Sequence, residues 1–112
     1  MTRHGIHHSD VVDLITQEAG GTVRLILVQT ETLTGNEILA LHQKLDNYLS
    51  FATDGRLVAS KPSTKDCPVV IRVDLYARPD ALVLEFLRSF RVLALRKDVD
   101  LEVSIDQQTV AL

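Results

Sequence analysis

The 112-residue sequence has one cysteine, little excess charge of either sign and no long apolar run. Because Cys67 is the single cysteine, an intrachain disulfide framework is excluded and a reducing compartment fits. No apolar run approaches the ~20 residues that a membrane span requires. The N-terminal segment also lacks the apolar core of a signal peptide. These absences predict a cytoplasmic protein with no membrane partner.

The formal net charge is −3 with histidine neutral. General nucleic-acid binding needs a concentrated positive field, so nucleic acid is not an expected partner. The sequence has no G-x-S-x-G or Walker-type motif and no convincing acid–base pair of carboxylates, so we assign no catalytic residue and no cofactor. His4, His7 and His8 form a cluster of a kind that can bind metals. No cysteine or acidic residue stands beside them at ligand spacing, so no metal is predicted.

Cys67 and His42 are the remaining candidates for chemistry. Cys67 would need a neighbouring histidine to act as a nucleophile, and its predicted role is structural or incidental. His42 and Asp46 are spaced i,i+4 on a predicted helix, which predicts a surface hydrogen bond and a packing role for His42 at the edge of the buried stripe. An enzyme is therefore the least favoured function class.

Residues 34–55 carry the clearest helical pattern. Thr34 and Glu37 have the spacing of a capping box, and Gly55 can take the left-handed conformation that ends a helix. Lys44 is predicted to lie outside the buried stripe, together with the other polar residues. The apolar positions share one stripe roughly 100° wide: Ile38, Leu41, Leu45, Tyr48, Leu49 and Ala52. The other segments must cover this stripe.

The other segments read mainly as strands. Residues 11–15 and 22–30 are rich in apolar and β-branched residues and flank a Gly-Gly turn, which predicts a hairpin. Residues 69–76 and 99–106 alternate between apolar and polar side chains, as half-buried strands do. Pro79 opens a second helix between them. The short apolar patch at residues 56–59 either packs under the first helix or adds a minor strand.

The predicted order is β-β-α-β-α-β in a single domain at residues 10–106, with tails at 1–9 and 107–112. Two successive right-handed β-α-β crossovers place both helices on one face of the sheet. We predict an α+β protein, a two-layer α/β sandwich with a four-stranded mixed sheet. The simplest strand order is 1-2-3-4 with the first strand antiparallel, and an order with an inserted strand is the alternative.

Three segments carry a resemblance to a known family. They are Asp10–Asp13, the run Leu45–Phe51 leading into Asp54–Leu57, and the strand–helix–strand region from Leu84–Leu87 to Leu101–Val103. Through these segments the chain resembles an uncharacterised bacterial family of small β-β-α-β-α-β proteins, a domain of unknown function. The resemblance covers residues 10–106. It implies a small bacterial protein and supplies no catalytic motif.

The carboxyl ends of the parallel strands form a first candidate site. Ligands bind at this end in parallel α/β arrangements, and helix N-termini there suit anions. Thr34, Asn36, Tyr76 and Arg78 belong to this end and are the predicted residues for a small anionic ligand. The alternative reading is that Thr34 only caps its helix.

A protein-contact surface is the second candidate. Leu84, Arg88, Arg91 and Leu95 form a line beside the apolar face of the second helix, and leucine with arginine is typical of an interface. The polar face of the sheet is a further candidate for self-association. We therefore rank a non-catalytic protein-interaction module first, with a homodimer as one form of it and another protein as the other partner. A small anionic-ligand binder ranks second.

Overall fold

The structure, a computed structural model, describes residues 12–19 and 21–112, so the histidine cluster at positions 4 to 8 lies outside the described residues. Within these described residues, five strands and three α-helices form the fold, with short 3-10 turns at Gly35–Glu37 and Pro62–Thr64. The elements are β1 (Leu14–Gln17), β2 (Val23–Gln29), α1 (Ile38–Thr53), α2 (Arg56–Ser60), β3 (Val69–Leu75), α3 (Ala81–Leu95), β4 (Val99–Ile105) and β5 (Gln108–Val110).

The strands form one mixed sheet in the order β1-β2-β3-β4-β5. The central strands β2, β3 and β4 are parallel to one another, whereas β1 and β5 pair antiparallel at the two edges. The predicted α+β class, the order of the first four strands and the antiparallel first strand are therefore confirmed. The order with an inserted strand is wrong.

The part of the chain that the structure describes contributes five strands to the sheet, so the predicted count of four is wrong. The additional strand, β5, lies in the segment assigned to the C-terminal tail and pairs with the end of β4. Asp106 and Gln107 form the turn with φ angles of 50° and 66°. Two-residue hairpin turns of this kind usually contain Asn-Gly or Asp-Gly, and the missing glycine hides the turn in the sequence.

The start and the main stripe of the first predicted helix are confirmed. Thr34 and Glu37 form both halves of the capping box, and the first turn is a 3-10 turn. Gly55 has a φ of +95° and separates α1 from α2. The sequence pattern predicted two helices, and α2 is an additional one. The patch at residues 56–59 is therefore helical. It packs against the core through Leu57, which has 2% of its surface exposed.

The core lies between one face of the sheet and the helices α1 and α3. The alternating apolar residues of β2, β3 and β4 point into it, as the period-2 pattern predicts. The helices contribute two matching stripes to the core: Leu41, Leu45, Tyr48 and Leu49 from α1, and Val83, Leu87, Phe90 and Ala94 from α3. Within the described part of the chain, no helix has the length and apolarity needed to cross a bilayer.

Candidate functional site

The most apolar exposed surface of the described structure lies on α3. Eleven of the 15 residues of this helix are apolar, but only four of them are fully buried by the chain. Leu82, Val92, Leu93 and Leu95 keep 58%, 54%, 41% and 46% of their surface exposed. A helix that is apolar on most sides is usually covered on most sides. The described chain therefore leaves a large part of this apolar helix exposed.

We define the outer surface of α3 by its exposed side chains and the residue that follows the helix. These residues are Ala81, Leu82, Glu85, Arg88, Ser89, Val92, Leu93, Leu95 and Arg96. Of the predicted interface residues, Arg88 and Leu95 belong to this surface. Leu84 is partly buried against the core, and Arg91 Nε donates to Asp100 Oδ1 at 2.9 Å. The predicted line is thus divided between the exposed surface, which holds Arg88 and Leu95, and contacts within the chain, which hold Leu84 and Arg91.

The Arg91–Asp100 pair is a structural contact at that side. The hydrogen bond from Arg91 holds the pKa of the Asp100 carboxyl below its ordinary value. The same carboxylate accepts the backbone N–H of Leu101 at 2.7 Å. Because Asp100 is a residue of β4, its hydrogen bond with Arg91 ties α3 to the sheet. Arg91 is therefore already engaged within the chain.

The two helix starts at the carboxyl end of the sheet are bound by carboxylates of the chain itself. Asp80 caps α3 by accepting from Val83 N–H at 3.0 Å, and its second oxygen accepts from Gly35 N–H at 2.8 Å. Glu37 accepts from the Thr34 hydroxyl at 2.6 Å and from the Thr34 backbone N–H at 3.0 Å. These hydrogen bonds hold the pKa of Glu37 below its ordinary value. The carboxylates of Asp80 and Glu37 therefore already accept from three backbone N–H groups at these helix starts, those of Thr34, Gly35 and Val83.

The other residues predicted for an anion site lie in acidic or exposed surroundings. Asn36 donates its backbone N–H to Thr34 Oγ1 at 3.3 Å, and Arg78 is exposed. Tyr76 is 61% exposed and lies in a shallow depression that is also lined by Asp74, Asp106 and Gln107. Thr34 and Asn36 do not line this depression. Two carboxylates beside Tyr76 create a negative field, which disfavours an anionic ligand.

A buried ion pair joins the residue before β1 to α1, and sequence reasoning missed it. Lys44 Nζ lies 2.5 Å from Asp13 Oδ1, and the two side chains are 0% and 2% exposed. The prediction that Lys44 lies outside the buried stripe is therefore wrong. The Asp13 backbone N–H also donates to the Tyr48 hydroxyl at 2.8 Å. Burial raises the pKa of this hydroxyl well above its ordinary value.

The structural role of this network follows from the short length of β1. The ladder between β1 and β2 ends at the pair Leu14 and Ile26, although β2 continues to Gln29. The Tyr48 hydroxyl donates to the Ile26 carbonyl at 2.9 Å, and Asp13 Oδ2 accepts from Val28 N–H at 3.0 Å. Side chains thus replace the missing backbone partners at this edge of β2. Because their side chains are buried, Asp13, Lys44 and Tyr48 form a structural network.

His42 and Cys67 lie in separate contact groups. His42 Nε2 lies 3.2 Å from Asp46 Oδ2, which confirms the predicted surface contact, and its ring packs edge-on against Phe86 at 5.6 Å between centroids. Cys67 Sγ lies 3.7 Å from Gln17 Nε2 and donates to the Ser63 carbonyl at 3.5 Å. Across residues 12–19 and 21–112, no group of three or more His, Cys, Asp or Glu side chains could hold a metal ion.

The sheet face opposite the helices carries charges that are paired with one another. Arg24 Nε donates to Glu102 Oε1 at 2.8 Å, and Arg24 also forms an ion pair with Glu18. Arg72 lies 3.6 Å from the same Glu102 oxygen. These cross-strand pairs stabilise the sheet itself. Because its charged side chains are paired with one another, this face is a weaker candidate for a partner contact than the outer surface of α3.

Comparison with known proteins links the chain to a family and to nothing more specific. A family model, described as a family of unknown function (DUF6572), matches residues 4–107. No curated protein and no solved structure shows a significant match.

Proposed function

The chain belongs to the DUF6572 family of unknown function, and we propose that it is a non-catalytic protein-interaction module whose contact surface is the outer surface of α3. One observation carries the proposal. The chain buries a single stripe of a helix that is apolar on most sides, and it leaves Val92 and Leu95 about half exposed. A protein partner would remove this surface from water.

The exposed aliphatic side chains of this surface would supply only part of the free energy of binding. Full burial of a Val or Leu side chain is worth about 1.5–3 kcal/mol, so covering one that is half exposed gains about 1 kcal/mol. Leu82, Val92, Leu93 and Leu95 together would supply about 4 kcal/mol before the cost of association is subtracted. Polar contacts around these residues must contribute the rest.

The second candidate, a small anionic-ligand binder, has weaker support. Its donors at the helix starts already bind Asp80 and Glu37. The enzyme alternative has the least support, because Asp13 and Lys44 form a buried pair with 2% and 0% of their side chains exposed. Neither alternative explains why α3 carries four exposed aliphatic side chains.

Site-specific photo-cross-linking tests the proposal whatever the identity of the partner. The photoreactive amino acid benzoylphenylalanine replaces Val92 in one variant and Val58 in the other, and both are expressed in the cells that make the protein. Val58 is the matched control, because it is also an exposed valine on a helix, at 36% exposure. We expect a discrete protein adduct from position 92 and none from position 58. No adduct at position 92, or equal adducts at both, would contradict the proposal.

A further inference from the structure

The outermost stripe of α3 has a charge pattern that is complementary to itself, and we infer that the partner is a second copy of this chain, packed through α3 in an antiparallel two-fold pair. The inference rests on the proposed function. The stripe consists of Glu85, Ser89, Val92 and Arg96, at successive spacings of four, three and four residues. At 3.6 residues per turn these positions lie within about 60° of one another, on the side of the helix opposite its core stripe.

The order of the side chains along the stripe selects the antiparallel arrangement. A two-fold axis midway between Ser89 and Val92 would set Glu85 of each copy against Arg96 of the other. It would also set Ser89 against Val92 twice. Two-fold contacts use one patch twice, so both ends of the interface gain the same ion pair. A parallel arrangement would instead set glutamate against glutamate and arginine against arginine.

The charged ends of the stripe are available for such a contact. Within the described residues, neither Glu85 nor Arg96 takes part in an ion pair or a side-chain hydrogen bond. Arg91, by contrast, is held by Asp100. Arg88, which lies to one side of the stripe, also forms no ion pair within the described residues. The two unpaired charges on the stripe itself, Glu85 and Arg96, are the ones that the antiparallel arrangement would pair.

The uncharged part of the surface fits the same arrangement. Ser89 is small, so two helices can approach to the 8–10 Å that helix packing requires. Leu93 and Leu95 flank the stripe on its two sides, and each is more than 40% exposed. A second helix laid along the stripe would cover both. A single helix pair of about 22 Å makes a small interface, so we expect dissociation in the micromolar range.

Charge reversal tests the arrangement directly. In sedimentation equilibrium at micromolar concentration, we expect the natural chain to dimerise. Glu85→Arg alone and Arg96→Glu alone should each weaken the dimer about tenfold or more, because each sets like charges together at both ends. An equimolar mixture of the two variants should dimerise again, since every contact then pairs Arg with Glu. Recovery in the mixture also shows that both variants are folded.

Two exposed residues outside α3 provide matched controls. Glu31→Arg and Lys65→Glu change the net charge by the same amounts, and neither residue belongs to the outer surface of α3. We expect both to leave the dimer unchanged. If the mixture of α3 variants does not recover, or if the single variants dimerise as well as the natural chain, the antiparallel arrangement is wrong.

The outcomes separate this inference from the proposed function. A natural chain that stays monomeric, together with a cross-link from position 92 to a different protein, would overturn the second copy as partner and leave the interaction module intact. Absence of any cross-link from position 92 would contradict both the interaction module and the second copy as its partner. A dimer that survives all α3 substitutions would show that copies meet elsewhere.

Discussion

At the scale of single residues, the stability of the fold depends strongly on the buried ion pair of Lys44 and Asp13. Removing one partner of a buried ion pair takes that pair's attraction and hydrogen bond away from the remaining buried charge, at a cost of about 3–5 kcal/mol. We therefore expect Lys44→Met to lower the free energy of unfolding by that amount in a denaturant titration. Lys65→Met is the matched control, because Lys65 is exposed, and should change stability by no more than about 0.5 kcal/mol.

Glu37 gives a residue-scale prediction about pH. Hydrogen bonds from Thr34 lower its pKa in the folded chain, so the unfolded chain binds more protons in acid. Its contribution to stability is present above the ordinary pKa of glutamate and is lost as the pH falls through the lowered value. We expect a proton titration followed by NMR to show this lowered pKa. Thr34→Ala should move it upward, and an unchanged pKa in that variant would show that Thr34 is not the cause.

At the scale of elements, α1 is held by the stripe that the sequence predicts. Leu45 lies in the middle of this stripe and is fully buried. Leu45→Ala should cost roughly 2–5 kcal/mol, because it removes buried methyl groups and leaves a cavity. Leu39→Ala on the exposed side of the same helix is the control and should change the denaturation midpoint little. Equal effects of the two substitutions would contradict the assignment of the buried stripe.

The junction between the starts of α1 and α3 depends on Asp80. Its carboxylate accepts from Val83 and from Gly35, so Asp80→Ala removes two hydrogen bonds to a charged acceptor. The expected loss of stability is about 2 kcal/mol or more. Asp80→Asn keeps one acceptor oxygen and should lose less. If Asp80→Ala is no worse than Thr34→Ala, the second hydrogen bond contributes little.

At the scale of the whole molecule, the distribution of exposed apolar side chains predicts where copies of the chain meet. Val92→Glu combined with Leu95→Glu should convert a dimer to a monomer in sedimentation, because both charges would be buried at the contact. Leu14→Glu combined with Val58→Glu is the control, since these exposed side chains lie on β1 and α2. Dissociation by the control pair instead would move the contact away from α3.

The elements that the sequence determined by itself are those whose signals are local. The Thr34–Glu37 capping box spans four residues, and Gly55 adopts its positive φ because glycine has no side chain. The alternation of β3 and β4 follows from the two-residue period of a strand. These signals were sufficient for the order of the first four strands and for the two main helices. The β4–β5 turn lacked glycine, so the fifth strand carried no such signal.

Contacts between distant residues were decided only by the tertiary structure. Lys44 meets a carboxylate 31 residues earlier in the chain, and Asp80 reaches a backbone N–H 45 residues earlier. Helical periodicity placed Lys44 with the polar residues, because a pattern reports hydrophobicity and not the position of a counterion. The same limit applies to α3. Its apolar residues predict a helix, but only the packed chain shows which of them remain uncovered.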